Sequence, residues 1–344
     1  MSIVTAKNDR VLTSSGAAGE SAWRQSMRRA IRDPIALCRR LQLPESFERR
    51  AVFAARLFPV FAPLEFVARM CLGDPYDPLL RQVLPLDDEM VETAEFTKDP
   101  VDDDAATLAP GLLRKYRSRA LLVTTGSCAV HCRYCFRRHY PYHESPKSAE
   151  TWRPAIKEIA DDKAIDEVIL SGGDPLTLVD VRLAELAEQL EQIDHLRRLR
   201  VHTRLPVMIP SRVNSELIAW LTATRMTPIV VIHANHAREL DDDVARAVGR
   251  FIDAGIVVMN QSVLLRGVND STGELIALSR RLLDLRVMPY YLHQLDRVAG
   301  AAHFEVPIET GRRLVRSIRG QLPGYAVPRY VQEVAGEPSK RVLA

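Results

Sequence analysis

From Pro110 onward, short apolar or β-branched runs alternate with amphipathic helical patterns, and this alternation is the feature that most limits the possible folds. Strands that alternate with crossover helices form a parallel sheet with right-handed connections, and the chemistry of such folds lies at the carboxyl ends of the strands. The predicted strands are Ala120–Thr125, Glu167–Leu170, Arg200–Thr203, Ile229–His233, Val257–Leu264 and Val287–His293. The predicted helices between them are Leu178–His195, Asn214–Thr222, Asp241–Ala254 and Gly273–Leu285.

The part of the chain before Pro110 has a different sequence pattern, in which short helical runs are interrupted by prolines. Asp33-Pro34 is typical of a helix start, since Asp can cap the helix and Pro fits its first position. A second helix is predicted over Glu45–Leu57, and the acidic stretch Asp99–Asp104 is predicted to be a linker. The expected organisation is a flexible tail at 1–22, a helical region and linker at 23–105, a β/α core at 106–330 and a C-terminal segment at 331–344.

Composition excludes several classes of protein. The chain is 47% hydrophobic and 26% charged, with a formal charge of +3, which is too small to indicate direct binding of nucleic acid. Its most apolar stretch, Ala51–Met70, is interrupted by charged residues and prolines, so no membrane span is expected. We find no signal-peptide pattern, and an odd cysteine count with three cysteines crowded together favours a reducing cytoplasm over a disulfide framework.

Cys128, Cys132 and Cys135 follow the first predicted strand at the spacing C-x3-C-x2-C. Soft thiolates at this spacing can bind three irons of a 4Fe–4S cluster and leave the fourth iron open to a substrate or cofactor. The alternative is a zinc site completed by His131 or His139. Zinc sites usually contain a second Cys or His pair further along the chain, which is missing from this sequence.

A second motif, Leu170-Ser171-Gly172-Gly173-Asp174, ends the next predicted strand. Glycines at a strand end allow the backbone to approach a ligand closely, and Asp174 can accept a hydrogen bond from an ammonium group. Taken alone, this sequence is also typical of an ordinary tight turn.

The cysteine loop, with Tyr134 before its last cysteine, and the Gly-Gly-Asp turn one β/α unit later together resemble the radical S-adenosylmethionine superfamily. The resemblance implies a partial (β/α)6 TIM-like barrel, a 4Fe–4S cluster held by the three cysteines, and S-adenosylmethionine bound at the open iron. Ser171, Gly172, Gly173 and Asp174 match the methionine-binding turn of that superfamily. Such enzymes use the cofactors for radical chemistry, while the protein positions and shields them.

Within this superfamily, the chain resembles the lysine 2,3-aminomutase family from about residue 75 to Lys340. The segments that match in order and spacing are 110–112, 261–270, 289–296, 303–304, 324–328 and 330–340. The resemblance implies a pyridoxal phosphate cofactor carried by Lys340, although a lysine near a C-terminus is, by itself, usually a solvated charge. The reaction implied is the conversion of (S)-α-lysine to (R)-β-lysine.

Further roles follow from the same resemblance, position by position. Arg137 matches the arginine that binds the substrate α-carboxylate, while Asp296 and Glu333 match the two acids that bind its ε-ammonium group. Lys115, Tyr116 and Arg119 match the segment that anchors pyridoxal phosphate. His233 and Gln261 match residues near the adenosyl group, although a histidine such as His233 is also common in protein cores.

Three departures from the family pattern distinguish this chain. Lys115 replaces a usual Arg, Glu333 replaces a usual Asp, and the glycine run before the cofactor lysine is reduced to Gly336-Glu337-Pro338-Ser339. The short C-terminal form with Glu-Pro-Ser-Lys resembles the branch that supplies β-lysine for the modification of elongation factor P. That branch implies a ligase acting on the factor as a partner, and a reductant such as flavodoxin or ferredoxin.

Other functions remain open at this point. The chain is a candidate aminomutase for free β-lysine or for another amino acid. It is also a candidate radical enzyme that does not use pyridoxal phosphate. Outside radical chemistry, the cysteines suit an iron–sulfur electron carrier or a zinc-binding structural module.

Overall fold

The computed structural model describes residues 21–144, 146 and 148–344, which contain a ten-stranded sheet with its strands in chain order. The strands are β1 (Thr107–Ala109), β2 (Leu112–Tyr116), β3 (Arg119–Thr125), β4 (Glu167–Gly172), β5 (Arg198–Thr203), β6 (Thr227–His233), β7 (Val257–Val263), β8 (Met288–His293), β9 (Arg329–Gln332) and β10 (Arg341–Val342). Neighbouring strands from β3 to β9 pair in parallel, and the outer pairs β1–β2, β2–β3 and β9–β10 are antiparallel.

The sheet has two edges and is therefore a partial barrel. In the described part of the chain, β1 pairs with β2 alone and β10 pairs with β9 alone, so the ends do not meet. The predicted parallel strands correspond to β3 to β8, which confirms the partial (β/α)6 architecture. Of the predicted tail at 1–22, only the last two residues fall within the described ranges, and Ala22 already begins a helix.

The helices are α1 (Ala22–Arg29), α2 (Pro34–Arg40), α3 (Glu45–Ala55), α4 (Leu64–Val67), α5 (Ala149–Asp161), α6 (Asp180–Glu191), α7 (Leu205–Met208), α8 (Ser215–Ala223), α9 (Asp242–Asp253), α10 (Thr272–Asp284) and α11 (Ile308–Arg319). The predicted start of α2 is confirmed, because the Asp33 side chain accepts a hydrogen bond from the Ile35 N–H at 3.0 Å. Asn214, Asp241 and Ser271 cap α8, α9 and α10 in the same way.

One apolar core joins the N-terminal helices to the barrel. Leu37 and Phe66 of the helical region belong to the same buried cluster as Leu170 and Val230 of the central strands. Arg69 extends this contact, since its Nε lies 2.7 Å from Asp241 at the start of α9. The helical region therefore packs directly on the barrel. Among the described residues, the structure contains no helix long and apolar enough to cross a bilayer.

The acidic segment that joins the two regions differs from the predicted linker. Asp99 accepts hydrogen bonds from the backbone N–H groups of Asp103 and Asp104, at 2.9 and 3.0 Å, and so fixes the loop. Asp103 is buried, although its neighbours Asp102 and Asp104 are exposed. A buried carboxylate requires compensating charges or hydrogen bonds, and these lie in the cavity described below.

Candidate active site

A single cavity of about 380 Å³ contains every residue that the sequence predicted for the site. These residues lie on β2, at the start of β3 and in the loop that follows it, at or just after the ends of β4 and β6, within β7, after β8, and in the C-terminal segment. The lining includes Lys115, Tyr116, Arg119, Cys128, Cys132, Cys135, Arg137, Ser171, Gly172, Gly173, Asp174, His233, Gln261, Asp296, Glu333 and Lys340. Parallel pairing from β3 to β9 brings the carboxyl ends of these strands to one mouth of the barrel, whereas Lys115, Tyr116 and Arg119 come from the antiparallel hairpin of β2 and β3.

The cysteine loop presents three free thiols to this cavity. Burial raises the pKa of the Cys128 thiol well above its ordinary value, and the neighbouring Cys135 and Cys132 raise it further. Burial likewise raises the pKa of Cys135 to about 11, again with help from Cys132. The raised pKa values of Cys128 and Cys135 disfavour their thiolates unless a positively charged partner is present, which fits a cluster of iron ions.

The zinc alternative is not supported by the side-chain positions. Within the described ranges, no three Cys, His, Asp or Glu side chains converge closely enough to hold a single metal ion. His131 stacks on Phe58 and its Nδ1 lies 2.9 Å from the Pro59 carbonyl oxygen. The Nε2 atom of His139 lies 3.1 Å from the Ala299 carbonyl oxygen.

The Gly-Gly-Asp turn packs against the cysteine loop at backbone distance. The N–H groups of Gly173 and Asp174 donate to the carbonyl oxygens of Thr125 and Ser127, each at 2.7 Å. Gly172 has a φ of +122°, and a Cβ atom there would lie 2.6 Å from the Thr125 oxygen. A Cβ atom on Gly173 would overlap the Ser127 carbonyl group. Both glycines are therefore required for the close approach of the two loops.

Asp174 connects this turn to β5. Its buried carboxylate accepts hydrogen bonds from the Thr203 hydroxyl at 2.7 Å and from the backbone N–H groups of Arg204 and Leu205 at 2.7 and 2.9 Å. A further bond comes from the Leu176 N–H at 3.0 Å. The carboxylate predicted to accept from an ammonium group thus already has several donors within the protein, and it fixes the relative positions of the β4 and β5 ends.

The C-terminal segment brings Lys340 into the cavity. Gln332 of β9 pairs with Arg341 of β10, and the intervening turn passes through Gly336, whose φ is +77°. Lys340 consequently faces Glu333 and forms an ion pair with it. The Tyr116 hydroxyl donates to the other carboxylate oxygen of Glu333 at 2.7 Å. Burial would raise the pKa of Glu333, but Lys340 and Tyr116 hold it below its ordinary value.

Asp296 is the second acid near Lys340. Burial raises its pKa to about 7, the positive charge of Lys340 lowers it, and the negative charge of Glu333 raises it. Two acids that influence each other and one lysine therefore share this side of the cavity. Such a pair can hold two ammonium groups in turn, first that of Lys340 and then that of a ligand.

A basic cluster formed by Arg137, Lys115 and Arg119 also lines the cavity. Asp103 joins two of its members, because its Oδ2 accepts from Arg137 Nε at 2.7 Å and its Oδ1 lies 2.7 Å from Lys115 Nζ. Arg119 lies over the Tyr116 ring, with its guanidinium carbon 4.1 Å from the ring centroid. Arg137 also approaches the Ser171 hydroxyl at 3.4 Å. Sequence reasoning missed Asp103, because the acidic run around it is typical of a solvated segment.

Buried histidines occupy the central strands. His233 of β6 is the register partner of Gln261 of β7, which places both predicted adenosyl-binding residues side by side. Burial and the nearby Arg204 lower the pKa of His233 to about 3, so this imidazole is neutral. Its Nε2 atom, like those of His202 and His293, is buried without a hydrogen-bond partner among the described residues. Unpaired nitrogens on a cavity wall are available to a polar ligand.

Comparison with known proteins identifies the family of this chain. Residues 122–278 match the model of the radical SAM superfamily. The chain is 42% identical over 325 residues to the L-lysine 2,3-aminomutase of Haemophilus influenzae, covering 94% of this chain and 96% of that protein. It is 43% identical over 322 residues to the Escherichia coli L-lysine 2,3-aminomutase, covering 93% and 94%. Identity to the Clostridium subterminale L-lysine 2,3-aminomutase is 32% over 320 residues, covering 92% and 76%. The chain therefore belongs to the L-lysine 2,3-aminomutase family of radical SAM proteins.

Proposed function

We propose that this protein is an L-lysine 2,3-aminomutase that converts (S)-α-lysine to (R)-β-lysine. The observation that supports this most strongly is the composition of one cavity, where three free thiols, a lysine between two acids, and a basic cluster line the same space. An iron–sulfur carrier or a structural zinc module would need only the thiols. The remaining charged groups suit a substrate that itself carries a carboxylate and a distal ammonium group.

Three cofactors fit the groups that line the cavity. The thiols of Cys128, Cys132 and Cys135 would hold a 4Fe–4S cluster, and Lys340 would carry pyridoxal phosphate. S-Adenosylmethionine would lie along the turn from Ser171 to Asp174 and against His233 and Gln261. When bound, these cofactors supply the radical and the conjugated system needed to move an amino group between neighbouring carbons.

The substrate is held by groups of opposite charge. We assign the α-carboxylate to Arg137, whose guanidinium is held by Asp103 through Nε. We assign the ε-ammonium group to Glu333 and Asp296. The phosphate of pyridoxal phosphate is assigned to Lys115 and Arg119, with Tyr116 beside them. The α-carboxylate and ε-ammonium groups of lysine and the phosphate of the cofactor would thus find complementary groups in one cavity.

The burial of these groups excludes water from the reacting carbons. Arg137 and Asp103 are both below one tenth exposed, and the Glu333 side chain is 9% exposed. A reactive radical must be shielded from solvent and from side reactions, so a largely enclosed cavity is a requirement of the proposed chemistry. Product release would then require the ε-ammonium group to leave Glu333 and Asp296.

The wider role of the product is also part of the proposal. The Glu-Pro-Ser-Lys sequence at Lys340 supports the branch that supplies β-lysine for elongation factor P, with a separate ligase as partner. A reductant such as flavodoxin or ferredoxin would supply the electron, and a reducing cytoplasm would preserve the free thiols.

The deciding experiment is an anaerobic assay of the reconstituted protein with pyridoxal phosphate, S-adenosylmethionine, dithionite and (S)-α-lysine, followed by mass spectrometry for β-lysine. Lys340→Ala should abolish β-lysine formation and the borohydride-reducible visible absorbance of bound pyridoxal phosphate. Lys157→Ala, a change at an exposed lysine, serves as the matched control. Formation of 5′-deoxyadenosine without β-lysine would leave the radical chemistry but refute lysine as substrate. Formation of neither product from an intact cluster would refute the proposal as a whole.

A further inference from the structure

Arg204 is a buried arginine that contacts one of the three cysteines. It follows β5 directly, and its backbone N–H donates to Asp174 at 2.7 Å, which fixes its main chain beside the Gly-Gly-Asp turn. Its side chain is only 6% exposed. Its Nη1 atom donates to the Sγ atom of Cys132 at 2.8 Å. Neither the lysine site nor the predicted cofactor contacts account for this residue.

A ring of buried polar groups fixes the orientation of the guanidinium. Its Nη2 atom donates to Glu239 at 2.9 Å and to Gln82 at 2.6 Å. Gln82 in turn donates to the second oxygen of Glu239 at 3.0 Å, which also accepts from the Asn235 N–H at 2.9 Å. Rotation of the guanidinium would break several of these bonds at once, so the N–H group aimed at Cys132 is held in place.

The charge of this network is nearly balanced without the cysteine. Glu239 is fully buried and forms the ion pair that a buried arginine needs. The additional contact with Cys132 therefore does not follow from the need to neutralise Arg204. It directs a hydrogen bond and a positive charge at an atom that would bind iron.

Reduction adds one negative charge to an iron–sulfur cluster. A hydrogen bond to a ligating sulfur and a nearby positive charge both stabilise the reduced state more than the oxidised state, and thereby raise the reduction potential. A nearby negative charge has the opposite effect. Arg204 and Glu239 thus act on the cluster with opposite signs, and Arg204 makes the direct contact.

We propose that Arg204 is a positioning residue that sets the reduction potential of the cluster by donating a hydrogen bond to Cys132, with Glu239 as the opposing charge. This inference rests on the iron–sulfur part of the proposed function and is independent of the identity of the substrate. It assigns a function to a buried network that joins the N-terminal region, through Gln82, to the barrel.

The test is a redox titration of the reconstituted holoprotein, in the absence of S-adenosylmethionine, followed by the electron paramagnetic resonance signal of the reduced cluster. Arg204→Lys keeps the charge but is too short to retain both contacts. Loss of one charge-assisted hydrogen bond should lower the equilibrium constant for reduction about tenfold, which corresponds to about 59 mV for a one-electron couple. Glu239→Gln should shift the potential in the positive direction.

Arg212→Lys provides the matched control, because Arg212 is also fully buried and paired with an acid, Asp180, at 2.8 Å. The reduction potential of the cluster in the Arg212→Lys protein should equal that in the unmodified protein. An unchanged potential in Arg204→Lys with an intact cluster signal would overturn the inference, as would a negative or absent shift in Glu239→Gln. Absence of any cluster signal from the unmodified protein would instead refute the iron–sulfur assignment, so the two failures are distinguishable.

Discussion

Glu333 provides the most direct test of the proposed substrate site. The change Glu333→Gln removes one negative charge while preserving the size of the side chain and an acceptor for the Tyr116 hydroxyl. The proposal assigns the ε-ammonium group of lysine to Glu333 and Asp296, so this substitution should weaken the binding of lysine in particular. The basic cluster that would hold the α-carboxylate should be unaffected.

The expected magnitude follows from the burial of Glu333. A hydrogen bond to a charged group contributes about 1.5–3 kcal/mol, which corresponds to a loss in kcat/KM of about tenfold to about a hundredfold. The loss should remain partial because Asp296 persists as a second acid. Removing the charge of Glu333 also lowers the pKa of Asp296, since Glu333 is one of the groups that raise it. The remaining acid should therefore be ionised over a wider pH range.

The assay measures the lysine dependence of β-lysine formation for Glu333→Gln, for Glu333→Asp and for the control Glu337→Gln. Glu337 lies in the same segment and pairs with Arg341, but it is more exposed than Glu333. Glu333→Asp should recover part of the lost activity, and the control should behave as the unmodified protein. Inhibition by 2-aminohexanoic acid, which lacks the ε-amine, should change little. If Glu333→Gln weakened the binding of lysine and of this analogue equally, the assignment would be refuted.

Three further predictions concern other parts of the molecule. Because burial raises the pKa of Asp296 to about 7, the KM for lysine should fall as pH rises through that value, and Asp296→Asn should remove this dependence. Gly173→Ala should lower the iron content after reconstitution, because the new Cβ would displace Ser127, whereas the matched change Gly320→Ala meets only ordinary contacts. Glu89→Ala should lower the free energy of unfolding by about 3–5 kcal/mol, because it leaves the fully buried Arg133 without its acid. Denaturant titration would measure this loss. The control is Glu45→Ala, which removes the acid of the exposed Glu45–Arg49 pair and should lower the free energy of unfolding by less than about 1 kcal/mol.

The raised pKa of Asp296 also has a consequence for stability. Between its ordinary value of 3.8 and about 7, the native state holds a proton on Asp296 that the unfolded chain releases. Stability decreases with rising pH wherever the native state binds more protons than the unfolded state. The contribution of Asp296 is therefore present at low pH and is lost as pH rises through about 7. Stability therefore decreases with rising pH over the range in which the binding of lysine should improve.

Periodicity predicted the parallel core well because its strands are buried and rich in Val, Ile and Leu. The strands from β3 to β8 and the helices α6, α8, α9 and α10 all match predicted segments. The outer strands were missed for physical reasons. β2 contains Arg114 and Lys115, whose charges mask its pattern, while β10 is only two residues long. Helix α5 was also missed, and it contains Pro154, a residue that normally signals a helix boundary.

The lining of the cavity could be anticipated where the residues stand in recognisable order, as the cysteines and Lys340 do, and their roles stay predictions. It was not predictable where function depends on contacts between distant segments. Asp103 stands in a run of acids, and only the fold reveals that it is buried between Lys115 and Arg137. Arg204 likewise gave no local signal, because its partners Gln82, Cys132 and Glu239 come from three different parts of the chain.

Charge within the cavity is arranged in two groups, each with its own counter-charge. On the acidic side, Glu333 pairs with Lys340, and on the basic side Asp103 pairs with Lys115 and Arg137. Burying isolated charges costs several kcal/mol per ion, whereas exchanging one partner for another of the same sign avoids most of that cost. Attachment of pyridoxal phosphate to Lys340 would remove its positive charge and leave Glu333 and Asp296 in need of a cation. In the proposed function, the ε-ammonium group of lysine would meet that need, so cofactor loading itself would favour a dibasic substrate.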